Sequence, residues 1–388
     1  MIGHQALCRW LAQCCTSSVF CSYCLPLFGL HLPSVTPGDI IRRCSQVTMA
    51  TMRAVQFDEH GGPEKLYVGD VGRPVPGQGE VLLKVFASAI NRADTLQLAG
   101  SYNPPPGASP ILGLEAAGEV VQLGPGCSKW KAGDRVAALL GGGGNAEFVV
   151  AEEGHLIPVP SHMTISDAAG IPEVWLTAYQ LLHFVGHLKK GDTVLIHAGG
   201  SGVGTAAVQL VRLAGAVPIV TAGTEAKLEK ARGLGAVAAF NYKEVDFADK
   251  VLVYTENKGV DMILDCIGGS YWEKNLRAIA VDGTWVLYGL LGGVKVDTPI
   301  LGGVLRKRVT LVGTTLRARS SQYKTDLVRA FCENALLYFG KYLQPVTDRV
   351  FSLEEIVDAH KYMAANKNIG KILLSVQGET PGTSHSEL

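Results

Sequence analysis

Thr193-Val-Leu-Ile-His-Ala-Gly-Gly-Ser-Gly-Val-Gly204, continuing as Thr205-Ala-Ala-Val-Gln-Leu210, decides the fold. The run Thr193 to Ala198 predicts a strand, the glycines a tight turn, and Gly202 to Ala214 a helix. Val203, Ala206, Ala207, Leu210 and Leu213 give that helix an apolar face. Small residues in such a turn let the backbone approach a pyrophosphate, while free N–H groups and the positive end of the helix dipole stabilise the anion. A glycine hexapeptide alone is weak evidence. Set between a strand and a helix, it points to a dinucleotide site at Ser201, Gly202, Val203 and Gly204. Ser201 stands where a glycine is common. Its hydroxyl would donate to a phosphate oxygen, face the nicotinamide, or simply be a tolerated small group.

Downstream, strands and helices alternate: Val217 to Thr221, a helix over Glu225 to Leu234, Ala236 to Phe240, Met262 to Asp265, a helix at Tyr271 to Ala280, then Thr284 to Tyr288. Alternation of this kind predicts a parallel sheet wound on both faces. Upstream the pattern is β-rich, with strands at Arg53 to Phe57, Glu80 to Ala87, Glu119 to Leu123, Arg135 to Leu140 and Ala146 to Val150. These predict a barrel-like domain. Gly141 to Gly144 invites a phosphate-loop reading, but no helix with Lys-Ser or Lys-Thr follows, so a turn between strands is preferred. After Ile171-Pro172 the period becomes helical, through Trp175, Ala178, Tyr179, Leu182 and Val185. The chain returns to the first domain near Gly313, with helices over Tyr323 to Tyr338 and Glu354 to Ala364 and a last strand at Lys371 to Val376. The expected class is α/β, with residues 52–172 and 314–388 forming the β domain and 173–313 an inserted doubly wound domain.

The tip of the second strand of that domain bears on the choice of nucleotide. Enzymes that use NAD place Asp or Glu there to accept bonds from the ribose hydroxyls. Here Thr221-Ala222-Gly223-Thr224 carries no acid, and Glu225 falls in the first turn of the next helix. Lys227 and Tyr242 are placed to meet a 2′-phosphate, although Lys227 reads equally well as a solvated helix residue. The missing acid favours NADPH.

Lys and Arg number 35, matching 35 Asp and Glu, so no net field exists to hold a nucleic acid or an anionic membrane. No apolar stretch reaches the roughly 18 residues of a spanning helix, so the expectation is a soluble protein with no membrane partner. Residues 1–51 differ in kind: they hold Arg9, Arg42 and Arg43, one acid at Asp39, and Cys8, Cys14, Cys15, Cys21, Cys24 and Cys44. They read as a mitochondrial presequence, a short signal core at Val19 to Leu32, or a segment preceding a start at Met49 or Met52. The last is preferred, with a cytoplasmic location, or a mitochondrial one if the segment is an import sequence. Cys21-x-x-Cys24 lacks a second pair at metal spacing and is taken as accidental.

Asn91-Arg-Ala-Asp94, Tyr102-Asn-Pro-Pro-Pro106, the glycine stretch, Asp265-Cys-Ile-Gly-Gly-Ser-Tyr-Trp-Glu-Lys-Asn275 and Asn366-Lys-Asn-Ile-Gly-Lys371 mark a resemblance. From about Met52 to Val376 the chain resembles the zeta-crystallin-like quinone oxidoreductases of the medium-chain dehydrogenase/reductase superfamily. The resemblance implies a GroES-like catalytic domain, a Rossmann domain, NADPH as donor, a quinone as acceptor, and a homodimer or homotetramer. Carried over by position, Asn91 and Tyr102 border substrate and nicotinamide, with Thr177 near the nicotinamide and Gly289 and Leu290 behind it. Gly223, Lys227 and Tyr242 surround the adenosine phosphate, Cys266 lines the cleft, and Asn368 reaches in from the returning segment. Asn91, Tyr102 and Ser201 are the candidate catalytic residues.

Zinc alcohol dehydrogenases are similar in outline, but their metal-ligand positions hold Asn91, Arg92 and Gly113-Leu114-Glu115 here, and Cys127 stands alone where a structural zinc lobe takes four cysteines. A zinc-free site is therefore expected. It suits an acceptor that delocalises charge, such as a quinone, better than an unactivated ketone. The alternatives are a reductase of α,β-unsaturated carbonyls and a non-enzymatic nucleotide- or RNA-binding protein on the same fold.

Overall fold

The computed structural model describes residues 50–378 apart from 297, 298 and 300. Of the leader reading of residues 1–51, residues 1–49, with Cys21 and Cys24, lie outside the described residues, whereas Thr51 opens the first strand. The strands are β1 (Thr51–Gln56), β2 (Tyr67–Gly72), β3 (Glu80–Ile90), β4 (Glu115–Leu123), β5 (Arg135–Leu139), β6 (Phe148–Glu152), β7 (Leu156–Pro158), β8 (Thr193–Ile196), β9 (Val217–Ala222), β10 (Ala238–Asn241), β11 (Val260–Asp265), β12 (Ile279–Leu287), β13 (Thr310–Gly313), β14 (Thr347–Ser352) and β15 (Lys371–Ser375). The helices are α1 (Arg92–Leu98), α2 (Ile165–Ala168), α3 (Pro172–Tyr179), α4 (Gly202–Leu213), α5 (Glu225–Leu234), α6 (Phe247–Tyr254), α7 (Trp272–Ala278), α8 (Leu301–Lys307), α9 (Ser321–Asn334) and α10 (Ile356–Ala364).

β8 to β13 form a six-stranded parallel sheet in the order β10-β9-β8-β11-β12-β13. The order reverses between β8 and β11, which opens a crevice at their carboxyl ends, where the glycine turn lies. Val194, Leu195 and Ile196 are sealed from solvent, as are Ala207 and Val211 on α4. Each fully buried aliphatic side chain of this kind contributes about 1.5–3 kcal/mol. The second sheet runs β14-β15-β3-β4-β5-β7, with β6 on β3. β15 pairs antiparallel with β3 from Ile372 opposite Ile90 to Ser375 opposite Ala87. The last described strand thus completes the first domain's sheet, and the parallel sheet is inserted in the sequence between them.

Several boundaries differ from expectation. β4 begins at Glu115 rather than Glu119, and the strand expected at Ala146 to Val150 spans Phe148–Glu152. The helix expected over Tyr323 to Tyr338 ends at Asn334 and is followed by one 3-10 turn, Leu336–Tyr338. α1 carries a signal the periodicity missed: the Asp94 carboxylate accepts the Asn91 N–H at 2.8 Å, closing the first turn across an Asn-x-x-Asp spacing. α6 was likewise not anticipated. Asp246 caps it by accepting from Ala248 N–H.

Beneath the crevice the two central strands are joined by buried polar groups. Asp265, at the end of β11, accepts from the Ile267 and Gly268 N–H groups, Asn275 Nδ2 and Trp285 Nε1 at 2.7–3.0 Å. Because Asn275 donates to Asp265, its Oδ1 accepts from His197 Nε2 at 2.7 Å, and His197 Nδ1 then accepts from the Thr221 hydroxyl at 2.8 Å. Burial lowers the His197 pKa, in keeping with this neutral tautomer. The network ties β8, β9, β11, β12 and α7 with each group satisfied. Asn275→Ala leaves His197 and Asp265 short of a partner, at a cost of about 1–3 kcal/mol for each orphaned group. Urea unfolding is expected to show a loss of that order with an unchanged m-value, and a loss below about 0.5 kcal/mol contradicts the role given to Asn275.

Candidate active site

The glycine turn is built on a close approach. A Cβ at Gly204 would stand 2.4 Å from Ala198 O and 2.8 Å from Gly199 Cα, so α4 meets the turn at a distance only glycine allows. Ser201 is the N-cap of α4, its Oγ accepting the Gly204 N–H at 3.0 Å. The hydroxyl proton stays free to donate. Gly202 and Val203 open the helix and have no acceptor four residues behind them, leaving two N–H groups at the positive end of α4. Ala198 takes φ +52°, a left-handed conformation that costs a residue with a Cβ about 1–2 kcal/mol. Strain of this type concentrates in functional loops. These features fit the pyrophosphate of a dinucleotide.

The tip of β9 brings Gly223 and Tyr242 together, and Lys227 lies on α5, which follows that strand. A Cβ at Gly223 would lie 2.6 Å from the Tyr242 hydroxyl and 3.1 Å from Lys243 Cε. The Lys227 stem crosses Gly200, where a Cβ would meet its Cγ at 2.7 Å, and its Nζ donates to Asn366 O at 2.6 Å. Asn366 also receives Arg92, whose Nη2 donates to its Oδ1. Burial lowers the Lys227 pKa first, and the Arg92 and Lys243 charges lower it further, against the Asp348 carboxylate, which raises it. Three cations thus surround this corner. Glu225 is turned to Arg232. Sequence spacing points to Lys227 alone among these; Arg92 and Asn366 figure there only within the motifs of the resemblance or as a metal position, and Lys243 not at all.

The returning segment closes the turn from the other side. Gly370 N–H donates to Gly200 O at 2.8 Å, and Asn368, 9% exposed, holds the bend by donating from Nδ2 to Gly370 O. Lys371 follows, with its side chain 5% exposed. Its Nζ meets Glu115 Oε1 at 2.7 Å, Asn91 Oδ1 at 2.7 Å and Ile90 O at 3.0 Å, which uses all three ammonium protons. Asn91 Nδ2 donates to Glu115 Oε1, and Glu115 Oε2 accepts the main-chain N–H of Glu173 at the start of α3. Asn91 is therefore part of a buried ionic network as well as a candidate for the substrate border. Asp94, fully buried, accepts from Asn91 N–H and Gly113 N–H, and burial raises it to about 6.

Tyr102 is half-buried on the loop after α1, with the Arg317 guanidinium 5.4 Å from its ring centroid. Burial and Glu173 raise its pKa, and Arg317 lowers it. Arg317 itself is anchored by Gly141 O and Gln97 Oε1 at 2.7–2.9 Å. It also lines a cavity of about 650 Å³ between Pro105, Gly141, Phe148, Glu152 and Lys324, which does not include the glycine turn. Thr177 lies one turn into α3. Cys266 closes the end of β11: its carbonyl accepts Leu291 N–H at 3.0 Å, which draws Gly289 and Leu290 beside it. Burial pushes the Cys266 thiol up to about 12, which leaves no reactive thiolate at neutral pH. Among the described residues no three His, Cys, Asp or Glu side chains cluster as metal ligands would, and no helix is long and apolar enough to cross a membrane.

Residues 77–161 match the alcohol dehydrogenase GroES-like domain, and residues 202–332 match the zinc-binding dehydrogenase domain. The chain is 30% identical to the quinone oxidoreductase of Homo sapiens over 326 residues, covering 83% of this chain and 97% of that protein. It is also 30% identical to the human synaptic vesicle membrane protein VAT-1 homolog, over 83% of this chain and 86% of the other. Among solved structures, the quinone oxidoreductase of Pseudomonas syringae superposes with a TM-score of 0.74 at 28% identity, over 84% of this chain and all of that one. The CurK enoyl reductase does so with a TM-score of 0.75 at 28% identity, over 84% and 99%. With both domain models, both sheets and a quinone oxidoreductase matched over nearly its whole length, this chain belongs to the medium-chain dehydrogenase/reductase superfamily of nicotinamide-dependent oxidoreductases, among its quinone oxidoreductase-like members.

Proposed function

We propose that the chain is an NADPH-dependent reductase of quinones that works without zinc, with residues 173–313 as the cofactor domain. The observation that carries the nucleotide assignment is the corner at the tip of β9, where Lys227, Lys243, Arg92 and Tyr242 converge and the tip itself bears no carboxylate. A 2′-phosphate satisfies such a corner, whereas a bare ribose leaves its charge unmatched. NADPH supplies the hydride, and the protein supplies position and electrostatics. Ser201, Gly202, Val203 and Gly204 hold the pyrophosphate. Thr177, Gly289 and Leu290 flank the nicotinamide, Cys266 lines the cleft, and Asn368 reaches the cofactor from the returning segment. Asn91 and Tyr102 border the acceptor.

The acceptor assignment rests on what surrounds its place. The positions that hold zinc ligands in the alcohol dehydrogenases carry Asn91 and Leu114, so no strong Lewis acid is provided for an alkoxide. A quinone spreads the incoming charge over a conjugated system, and the donors near Tyr102 suffice for it. An enone acceptor shares this chemistry, and the enoyl reductase neighbour makes it the second reading. A homodimer or homotetramer is part of the proposal. β13 is the last strand of the parallel sheet, and Leu301, Leu305 and Leu311 stand exposed around it.

Steady-state oxidation of NADPH against panels of quinones and of enones tests the activity. Higher kcat/KM for the quinones is expected, and turnover confined to the enones selects the second reading. Lys227→Ala tests the corner separately. Calorimetry should show NADPH affinity falling about tenfold or more, as expected for losing a charge-assisted hydrogen bond, while NADH affinity changes less than about threefold. Equal losses for the two nucleotides contradict the assignment.

A further inference from the structure

The cavity of about 650 Å³ outside the glycine turn has the size of a small-molecule site, which is roughly 300–1,000 Å³. Its walls are of two kinds. Pro105, Pro106, Leu139, Phe148 and Val149 offer an apolar surface to a flat ring, while Arg317, Arg319 and Lys324 line it from the segment after β13 and the first turn of α9. Arg317 links it to the acceptor's border, because its guanidinium lies 5.4 Å from the Tyr102 ring centroid.

Arg317 is 4% exposed, yet only part of its donor set is used: Nε and Nη2 donate to Gly141 O at 2.9 and 2.7 Å, and Nη2 donates to Gln97 Oε1 at 2.8 Å. Nη1 is withdrawn from water and, among the described residues, has no acceptor. A buried cationic donor without a partner is costly, so such a group calls for an acceptor. Lys324 is in a similar position. It is half-buried, and among the described residues its ammonium has no hydrogen-bond or ion-pair partner, although Glu152 and Glu173 offset part of its charge from further off. Arg319 is committed instead, donating to Thr314 Oγ1 and Thr315 O and lying over the Tyr323 ring. The acids of the lining are engaged too. Glu152 Oε2 accepts the Ser321 hydroxyl, and Glu80 Oε2 accepts the Gly77 N–H at 2.7 Å.

We propose that this cavity takes the end of the acceptor remote from its reacting carbon, and that Arg317 and Lys324 hold a carboxylate there. The preferred substrates are then conjugated carbonyl compounds that bear a carboxylate. The proposal deepens the reductase reading above and rests on it. One carboxylate oxygen accepts from the guanidinium and the other from the ammonium, both as charge-assisted hydrogen bonds, while the apolar wall covers the ring. Because Arg317 also faces Tyr102, seating the anion directs the other end of the molecule toward the residue assigned to the acceptor's border. A neutral acceptor fills the apolar wall but leaves both cationic donors unmet.

Two measurements on the full chain test this, one with turnover and one without. At saturating NADPH, kcat/KM should be about tenfold higher for a naphthoquinone carboxylate than for its methyl ester, chiefly through KM, since the anion is held alike in the ground and transition states. Lys324→Met and Arg317→Met should each bring that ratio close to unity. Arg317→Met also frees Gly141 O and Gln97, so Lys324→Met decides the matter if the former does not fold. Calorimetry without turnover should show naphthoate bound about tenfold or more tightly than naphthamide, with the difference lost in Lys324→Met. Equal binding of the two probes by the wild type, or a preference for the carboxylate that survives in a folded Lys324→Met, overturns the proposal. A wild-type chain that oxidises NADPH with neither quinones nor enones overturns the reductase reading instead, and the naphthoate titration still judges the anion site.

Discussion

The ion pair between Lys371 and Glu115 is the contact on which the cleft is assembled. Both side chains are almost wholly withdrawn from water, and removing such charges from solvent costs several kcal/mol per ion. The arrangement stands because each lone pair and proton has a partner: Asn91 binds both members, Ile90 O takes another ammonium proton, and the Glu173 N–H completes Glu115. Its value is geometric rather than stabilising. It joins the ends of β3, β4 and β15 to the first turn of α3. One residue earlier, Gly370 clips the glycine turn. Loop, barrel and helix are thereby held in one register.

The same contact separates the site into two electrostatic regions. At the tip of β9, Arg92, Lys227 and Lys243 come together, opposed by the Asp348 carboxylate, and leave a net positive corner. At the start of α3, Glu115 accepts the Glu173 main-chain N–H, and burial followed by the Glu115 charge raises the Glu173 carboxyl. The glycine turn itself relies on Gly204 for the close approach of α4 to Ala198 and Gly199, and carries a left-handed backbone at Ala198.

How much of this was legible depended on how local each signal is. The strand, turn and helix around Gly204 were readable because their determinants occupy eighteen consecutive residues. Gly223, Lys227 and Tyr242 were readable because the period of the sheet places them at one strand tip and the next. α1 was missed although Asn91 and Asp94 carry a capping signal, because the segment is only seven residues long and has little apolar repeat. The ionic network escaped altogether. Its members come from positions 91, 115, 173 and 371, and no spacing rule links residues whose proximity is set by the pairing of β15 with β3. Glu115 was noticed only as the neighbour of an absent metal ligand, and Glu173 not at all, since an acid after a helix-starting proline is ordinary.

A double-mutant cycle on Lys371 and Glu115 tests the central claim most directly. Unfolding free energies are measured for the wild type, Lys371→Met, Glu115→Gln and the combined variant. Each single change strands a buried partner and should cost about 3–5 kcal/mol, while the combined change should cost clearly less than their sum. Single losses that add to within about 0.5 kcal/mol would show that the two residues act independently, and would contradict the account of how the cleft is held together.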